Sequence, residues 1–382
     1  MTIRSISTIR SIAISLSLVA LFSTAQAQVP SAPSLSAKGY LLVDHESGRV
    51  LASKAATERM EPASITKLMT AYVVFNAIKN GQIGLQDNVL VSEKAWRTGG
   101  SRMFIEVGKR VPVDLLLQGM IIQSGNDASV ALAEYVAGTE ETFAELMNQT
   151  AFNLGMLSSH YMNSTGLPDD EHYTTASDIG ILANAIIRDF PQYYEWYSVK
   201  QFTYNGITQD NRNALLWRDN SVDGLKTGHT EAAGYCLVSS AKRDNTRLVA
   251  VILGTNSTSA RANDSQALLN YGFRFFETRL LYQAGQAITE ERVWYGDPEN
   301  TKLISREDVY VTIPRGSYDR LEARTQISGP LEAPLDTSGA VGQLKISLDG
   351  ELIDEIDLYS EQPIPEAGLL GQLIDWIVLW FE

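Results

Sequence analysis

Ser64 and Lys67 stand three residues apart in Ser64-Ile65-Thr66-Lys67. At helical spacing their side chains share one face, a turn apart. A serine hydroxyl attacks a carbonyl only with a base at hand. A lysine can be that base when burial or a second cation keeps it neutral part of the time. Ser124-Gly125-Asn126 adds a hydroxyl able to pass a proton and an amide that both donates and accepts. Lys226-Thr227-Gly228 adds a second cation and a hydroxyl suited to a carboxylate, with a glycine that admits a close-lying substrate backbone. Each triplet alone is equally at home as a helix cap, a turn or an edge strand. Together and in this order they supply a nucleophile, a base, a relay and a carboxylate site, the parts of a serine acyl transfer.

These residues need elements to position them. Apolar periodicity predicts a helix from Ser64 to Lys79, and Ser64 near its N-terminus would offer an amide N–H to a developing oxyanion. Further helices are predicted at Val113–Ile122, Asp127–Val136, Glu141–Leu154, Ser177–Arg188 and Ala260–Phe276. Gly39–Asp44 and Arg49–Ser53 flank a Glu46-Ser47-Gly48 turn, a hairpin pattern. Val222–Gly228, Tyr235–Ala241 and Arg247–Leu253 read as strands. Strands at both ends with helices between them predict an α+β fold, an antiparallel sheet packed by a helical cluster. Past about Ala284 short strand patterns take over at Arg292–Tyr295, Val309–Ile313, Leu321–Ile327 and Leu344–Leu348, with Asp349-Gly350 turning into Leu352–Leu358. Residues 285–362 therefore read as a small all-β domain after a catalytic domain spanning 28–284.

The two ends carry addresses. Arg4 and Arg10 precede an apolar run from Ile12 to Phe22 and then Ala25-Gln26-Ala27. This predicts a secretory signal over residues 1–27, too short to be an anchor spanning a bilayer. Residues 28–37, rich in Pro, Ser and Ala, read as a tether. After Pro363 and Pro365, residues 363–382 predict an amphipathic helix lying in the plane of a membrane. Leu369, Leu370, Leu373, Ile374, Trp376, Ile377, Trp380 and Phe381 fill its broad face, with Gly371, Gln372, Asp375 and Glu382 opposite. It has no Lys or Arg, so attachment would rest on apolar burial. The alternative is a terminal helix docked on the protein's own core. The chain of 382 residues carries a net charge of -14, which argues against a nucleic-acid partner. Cys236, the single cysteine, allows no intrachain disulfide and reads as a small buried hydrophobe. His45, His160, His172 and His229 show no metal-ligand spacing, so no metal or other cofactor is expected.

Longer stretches around the triplets are more specific: Glu61-Pro-Ala-Ser-Ile-Thr-Lys-Leu-Met-Thr70, Gln123-Ser-Gly-Asn-Asp-Ala128, Asp223-Gly-Leu-Lys-Thr-Gly-His-Thr230 and Tyr271-Gly-Phe-Arg-Phe-Phe-Glu-Thr278. On these the chain resembles the low-molecular-mass penicillin-binding proteins, D-alanyl-D-alanine carboxypeptidases of the penicillin-binding protein 5 type, over essentially its whole length. The resemblance implies a transpeptidase/β-lactamase-like domain, a small β domain and a C-terminal amphipathic anchor. It implies that Ser64 is acylated, that Lys67 is its general base, and that Ser124 and Asn126 are relay and polar clamp. Lys226 and Thr227 match the electrostatic and carboxylate-binding positions. The backbone N–H groups of Ser64 and His229 would form the oxyanion hole, and Arg212 and Arg261 match arginines near the substrate carboxylate. The implied partners are peptidoglycan D-Ala-D-Ala peptides and β-lactam antibiotics, outside the cytoplasm at the outer face of the inner membrane.

One departure concerns the segment from Met162 to His172, which has Ser164 and Thr165 where some members carry a histidine. It makes the lifetime of the acyl-enzyme an open quantity. A β-lactamase or an endopeptidase would use the same triplets, with Glu171 near the region where class A β-lactamases place a deacylating glutamate. A non-enzymatic wall scaffold is the reading from another class, and intact Ser64 and Lys67 count against it.

Overall fold

Strands β1 (Gly39–Asp44) and β2 (Val50–Lys54) form the expected hairpin. The structure is a computed structural model and describes residues 29–380; the expected secretory signal lies outside them. The nucleophile region is a short 3-10 turn, Ala63–Thr66, that runs into α1 (Lys67–Lys79). Then come α2 (Val113–Ile122), α3 (Asn126–Ala137), α4 (Glu140–Asn153) and α5 (Ala176–Asp189). Strands β3 (Val222–Thr230), β4 (Gly234–Arg243) and β5 (Thr246–Thr255) follow, then α6 (Thr258–Phe275). The sheet is antiparallel in the order β2-β1-β5-β4-β3, so strands from both ends of the domain meet at β1 and β5.

Alternation along the strands builds a core on each face. Leu41 and Val43 face the helical cluster with Val249, Val251 and Leu253, while Tyr40 and Leu42 face α6 with Leu248, Ala250 and Ile252. The run Leu248–Leu253 is apolar throughout because its strand is covered on both sides. Each such side chain contributes about 1.5–3 kcal/mol by leaving water. Cys236 is fully buried in β4 and its thiol is pushed up to about 11, chiefly by burial. It is the small core residue its context suggests.

The C-terminal part is all β. β6 (Phe276–Tyr282) pairs with a later strand, and β7 (Ala287–Trp294) pairs with β8 (Asn300–Ile304). The partner of β6 is β9 (Val309–Pro314). β10 (Leu321–Ile327), β11 (Gly342–Leu348) and β12 (Glu351–Ser360) complete the larger sheet. The β11–β12 turn is the predicted Asp349-Gly350, and both residues take positive φ, as a tight hairpin turn requires. Buried Asp44 ties the two parts together. It accepts from the hydroxyls of Ser47 and Thr278, and both of these hydroxyls meet Thr312 on β9.

The expected N-terminal tether and the segment after Pro363 are both docked. Ala37 is buried, Lys38 N–H donates to the Leu253 carbonyl, and the Ser36 hydroxyl donates to Asp264. After Pro363 the chain makes bridges Leu335–Ile364 and Gly296–Glu366, and Ile364 is buried in the β-domain core. It then enters α7 (Leu369–Leu379). Among the described residues no helix is long and apolar enough to cross a membrane.

Candidate active site

The 3-10 turn explains the closeness of Ser64 and Lys67. At three residues per turn, side chains at i and i+3 eclipse, and the Lys67 Nζ lies 3.2 Å from the Ser64 Oγ. Lys67 is 1% exposed. Its ammonium donates to the Asn126 Oδ1 at 2.7 Å and to the Thr165 carbonyl at 2.6 Å. Burial first, and the Arg212 cation second, lower its pKa to about 7, against an opposing pull from Asp127 and Glu140. The sequence suggested Lys226 as the lowering cation, but Arg212 takes that part. Lys226 is itself buried and pushed well below the usual lysine range, by burial and then by Lys67, Arg212 and Arg261.

Asn126 opens α3 and Ser124 precedes it at φ 73. The Ser124 Oγ is buried and has no hydrogen-bond partner among the described residues. The Asn126 Nδ2 donates to the Gly99 carbonyl at 2.7 Å, so one of its two N–H groups holds the segment opposite Lys67. Asp127 follows in the first turn of α3. Its carboxylate accepts the N–H groups of Met103, Phe104 and Ile105 and so fixes the flap above α3.

Lys226, Thr227 and Gly228 lie on the edge strand β3, paired with Val238, Leu237 and Cys236. Gly228 was expected to admit a substrate backbone. The structure shows a further task for it. A Cβ there would sit 2.9 Å from the Pro62 carbonyl and 3.1 Å from Ile65, so its absence lets β3 press against the Ser64 turn. His229 is exposed, with its ring 4.0 Å from that of Tyr235. Arg261, on the first turn of α6, donates to the carbonyls of Gly228 and Cys236 and braces the end of β3 and β4. Arg212 is held between two buried asparagines. Asn211 donates to the Tyr197 and Val199 carbonyls, and Asn213 donates to the Gly224 carbonyl.

The loop from Met162 to His172 closes the other side. Asn163 Oδ1 gathers the N–H groups of Thr165, Gly166 and Leu167, and also the Thr165 hydroxyl. That hydroxyl is therefore spent within the loop. Ser164 donates to Glu140 through its N–H and its hydroxyl. Gly166, at φ 81, lies so close that a Cβ would fall 1.8 Å from the Ala63 carbonyl. His172 is buried; its Nδ1 accepts the Met162 N–H, which leaves its Nε2–H to donate to Thr66 at 2.9 Å. Burial lowers its pKa to about 4, so it is neutral. Glu171 is exposed and its carbonyl accepts from His160, away from the cleft wall.

A cleft of about 470 Å³ results, lined by Ser64, Ser124, Asn126, Arg212, Thr227, Gly228, His229 and Arg261 among others, with Lys67 and Lys226 beneath it. All ten residues singled out in the sequence thus converge on one place. Sequence reasoning missed Asp127, Gly166, His172, Asn211 and Asn213, and only the Asn-Arg-Asn triplet offered a visible signal. Among the described residues no group of His, Cys, Asp and Glu is arranged to hold a metal ion.

Residues 26–257 match the family model described as D-alanyl-D-alanine carboxypeptidase, and residues 276–366 match the C-terminal domain of penicillin-binding protein 5. The chain is 43% identical to D-alanyl-D-alanine carboxypeptidase DacA of Escherichia coli K12, over 93% of this chain and 90% of that one. The solved penicillin-binding protein 5 from Haemophilus influenzae superposes with a TM-score of 0.86 at 40% identity, covering 88% of this chain and all of that one. Penicillin-binding protein D2 from Listeria monocytogenes, solved in its ampicillin-bound form, matches 64% of this chain and all of that one with a TM-score of 0.59 at 28% identity. The order of the motifs, the two-part fold and these likenesses agree: the chain belongs to the D-alanyl-D-alanine carboxypeptidase family and carries the C-terminal domain of penicillin-binding protein 5.

Proposed function

We infer that this chain is a serine-type D-Ala-D-Ala carboxypeptidase that removes the terminal D-alanine from peptidoglycan pentapeptides. One observation carries the reading: a buried amine with a pKa near 7 lies 3.2 Å from the Ser64 hydroxyl, at the floor of a cleft rimmed by cations. Neutral Lys67 takes the Ser64 proton as Oγ attacks the carbonyl between the two D-alanines. The backbone N–H groups of Ser64 and His229 receive the oxyanion. The Ser124 hydroxyl, free of other partners among the described residues, passes the proton to the departing amine. Thr227, Arg212 and Arg261 hold the substrate carboxylate. Water then cleaves the ester and restores Ser64. A β-lactam takes the same path as far as the ester.

The test is mass spectrometry of the protein mixed with penicillin, followed over time, beside D-alanine release from a pentapeptide. A stable adduct on Ser64 and D-alanine release that vanishes in Ser64→Ala support the reading. Rapid loss of the adduct would make the chain a β-lactamase; Glu171, away from the cleft, counts against that. The leader and the apolar terminal helix support export to the periplasm and attachment to the outer face of the inner membrane. Removing residues 366–382 should release the mature protein from membranes; a full-length mature chain already free of them would refute the attachment.

A further inference from the structure

Helix α7 turns its apolar face away from the protein. Leu369, Leu370, Leu373, Ile374, Trp376, Ile377 and Trp380 are between 45% and 87% exposed, and none of them is charged. Asp375 faces the opposite way and is 4% exposed. Its carboxylate accepts from the Arg292 guanidinium at 2.6 Å and from the Tyr295 N–H at 2.6 Å. Arg292 lies over the Trp294 ring, with its carbon 4.0 Å from the ring centre. Tyr295 has φ 60, and its carbonyl accepts the Ala367 N–H at 2.7 Å. Gln372 closes the first turn by donating to the Ala367 carbonyl. Counting the bridges at Ile364 and Glu366, the helix is held at its entry and again at its second turn.

A hydrogen-bonded carboxylate in an otherwise apolar helix is costly to keep unless its geometry serves something. For membrane affinity alone, a helix on a loose tether would serve as well. We propose that Asp375 and Arg292 form a latch that locks the lipid-facing helix to the β domain, so that binding a membrane surface also sets the tilt and height of the active site above it. This rests on the membrane attachment put forward above. The occupant of the apolar face is the interface of a lipid bilayer. Three turns of helix are about 16 Å long and about 10 Å wide and present only a few hundred Å², well short of the ~800 Å² per partner of a stable protein interface. With no cation on the helix and a chain at -14, neutral lipid suffices.

The experiment uses the full mature chain with Leu157→Cys, a position 72% exposed on the catalytic domain. Buried Cys236 leaves the new thiol as the one that labels. Time-resolved energy transfer from a dye there to acceptors in phosphatidylcholine vesicles reads the height distribution. The parent protein is expected to float with vesicles and give one narrow distribution. Asp375→Ala and Arg292→Gln are expected to float as well and to cleave a soluble D-Ala-D-Ala peptide at an unchanged rate. Their height distribution is expected to at least double in width, and Arg292→Lys to narrow it again. A parent chain that fails to float overturns the attachment and this proposal with it. Variants that float with the parent's narrow distribution overturn the latch alone, and a variant that loses soluble activity shows Asp375 to be a folding element instead.

Discussion

Arg212→Gln separates two jobs of one residue. Arg212 is proposed to hold the substrate carboxylate, and it also helps burial hold Lys67 near 7. If neutral Lys67 is the base, acylation follows its neutral fraction: about a tenth at pH 6, a half at pH 7 and nine tenths at pH 8. The parent enzyme should therefore acylate about tenfold faster at pH 8 than at pH 6. Removing the Arg212 cation raises the Lys67 pKa and moves this limb to higher pH. A movement of one pH unit, from about 7 to about 8, cuts the rate at pH 7 about fivefold and leaves the rate at pH 9 within about a tenth. Lost carboxylate binding instead scales the whole curve without moving its midpoint. Stopped-flow acylation by a fluorescent penicillin from pH 5.5 to 9.5 distinguishes the two. A parent profile that is flat across neutrality, or a midpoint unmoved by Arg212→Gln, would refute the assignment of Lys67 as a base tuned by Arg212.

Three further outcomes are expected. Gly166→Ala places a Cβ on the Ala63 carbonyl and a left-handed backbone on alanine, costing at least about 1–2 kcal/mol from the backbone alone; penicillin acylation should fall at least tenfold, while thermal melting checks that the fold survives. His172 titrates near 4 when folded and near 6.5 when unfolded, so the unfolded state binds the proton first. Its stabilising share is complete above about pH 6.5 and is lost as pH falls towards 4, about 2 kcal/mol between pH 7 and pH 5; His172→Gln should flatten that part of a urea-denaturation series. Asp127→Asn weakens the grip on three flap N–H groups and should cost about 1–3 kcal/mol, with hydrogen exchange rising first at Met103–Ile105.

The chemistry was legible because its residues are bound to short-range geometry. Ser64 and Lys67 needed only helical spacing, and Lys226-Thr227-Gly228 only a strand. The hairpin at β1–β2, the helices and the all-β end followed from periodicity. What stayed hidden depends on contacts distant in sequence. Nothing local shows that Gly228 faces Pro62 and Ile65, that His172 reaches Thr66, or that Asp127 gathers a flap more than twenty residues upstream. The short hairpin Gln201–Tyr204 with Ile207–Asp210 was missed because Thr, Gln and Asp dilute its alternation. Residues 363–367 read as part of the terminal helix, yet the helix starts only at Leu369 and their backbone groups pair with Leu335, Gly296 and Tyr295.

The two glycines that press on the Ser64 turn also limit how this protein could escape an inhibitor. Gly166 meets the Ala63 carbonyl from the loop, and Gly228 meets Pro62 and Ile65 from the strand. Any larger residue at either place pushes on the nucleophile itself, so a substitution meant to exclude a drug there would injure turnover of the substrate as much. Room for selective change lies at the rim instead, at Leu167 and the exposed His229 side chain, which line the cleft. Resistance selected in this protein should therefore collect at those rim positions and leave the two glycines untouched.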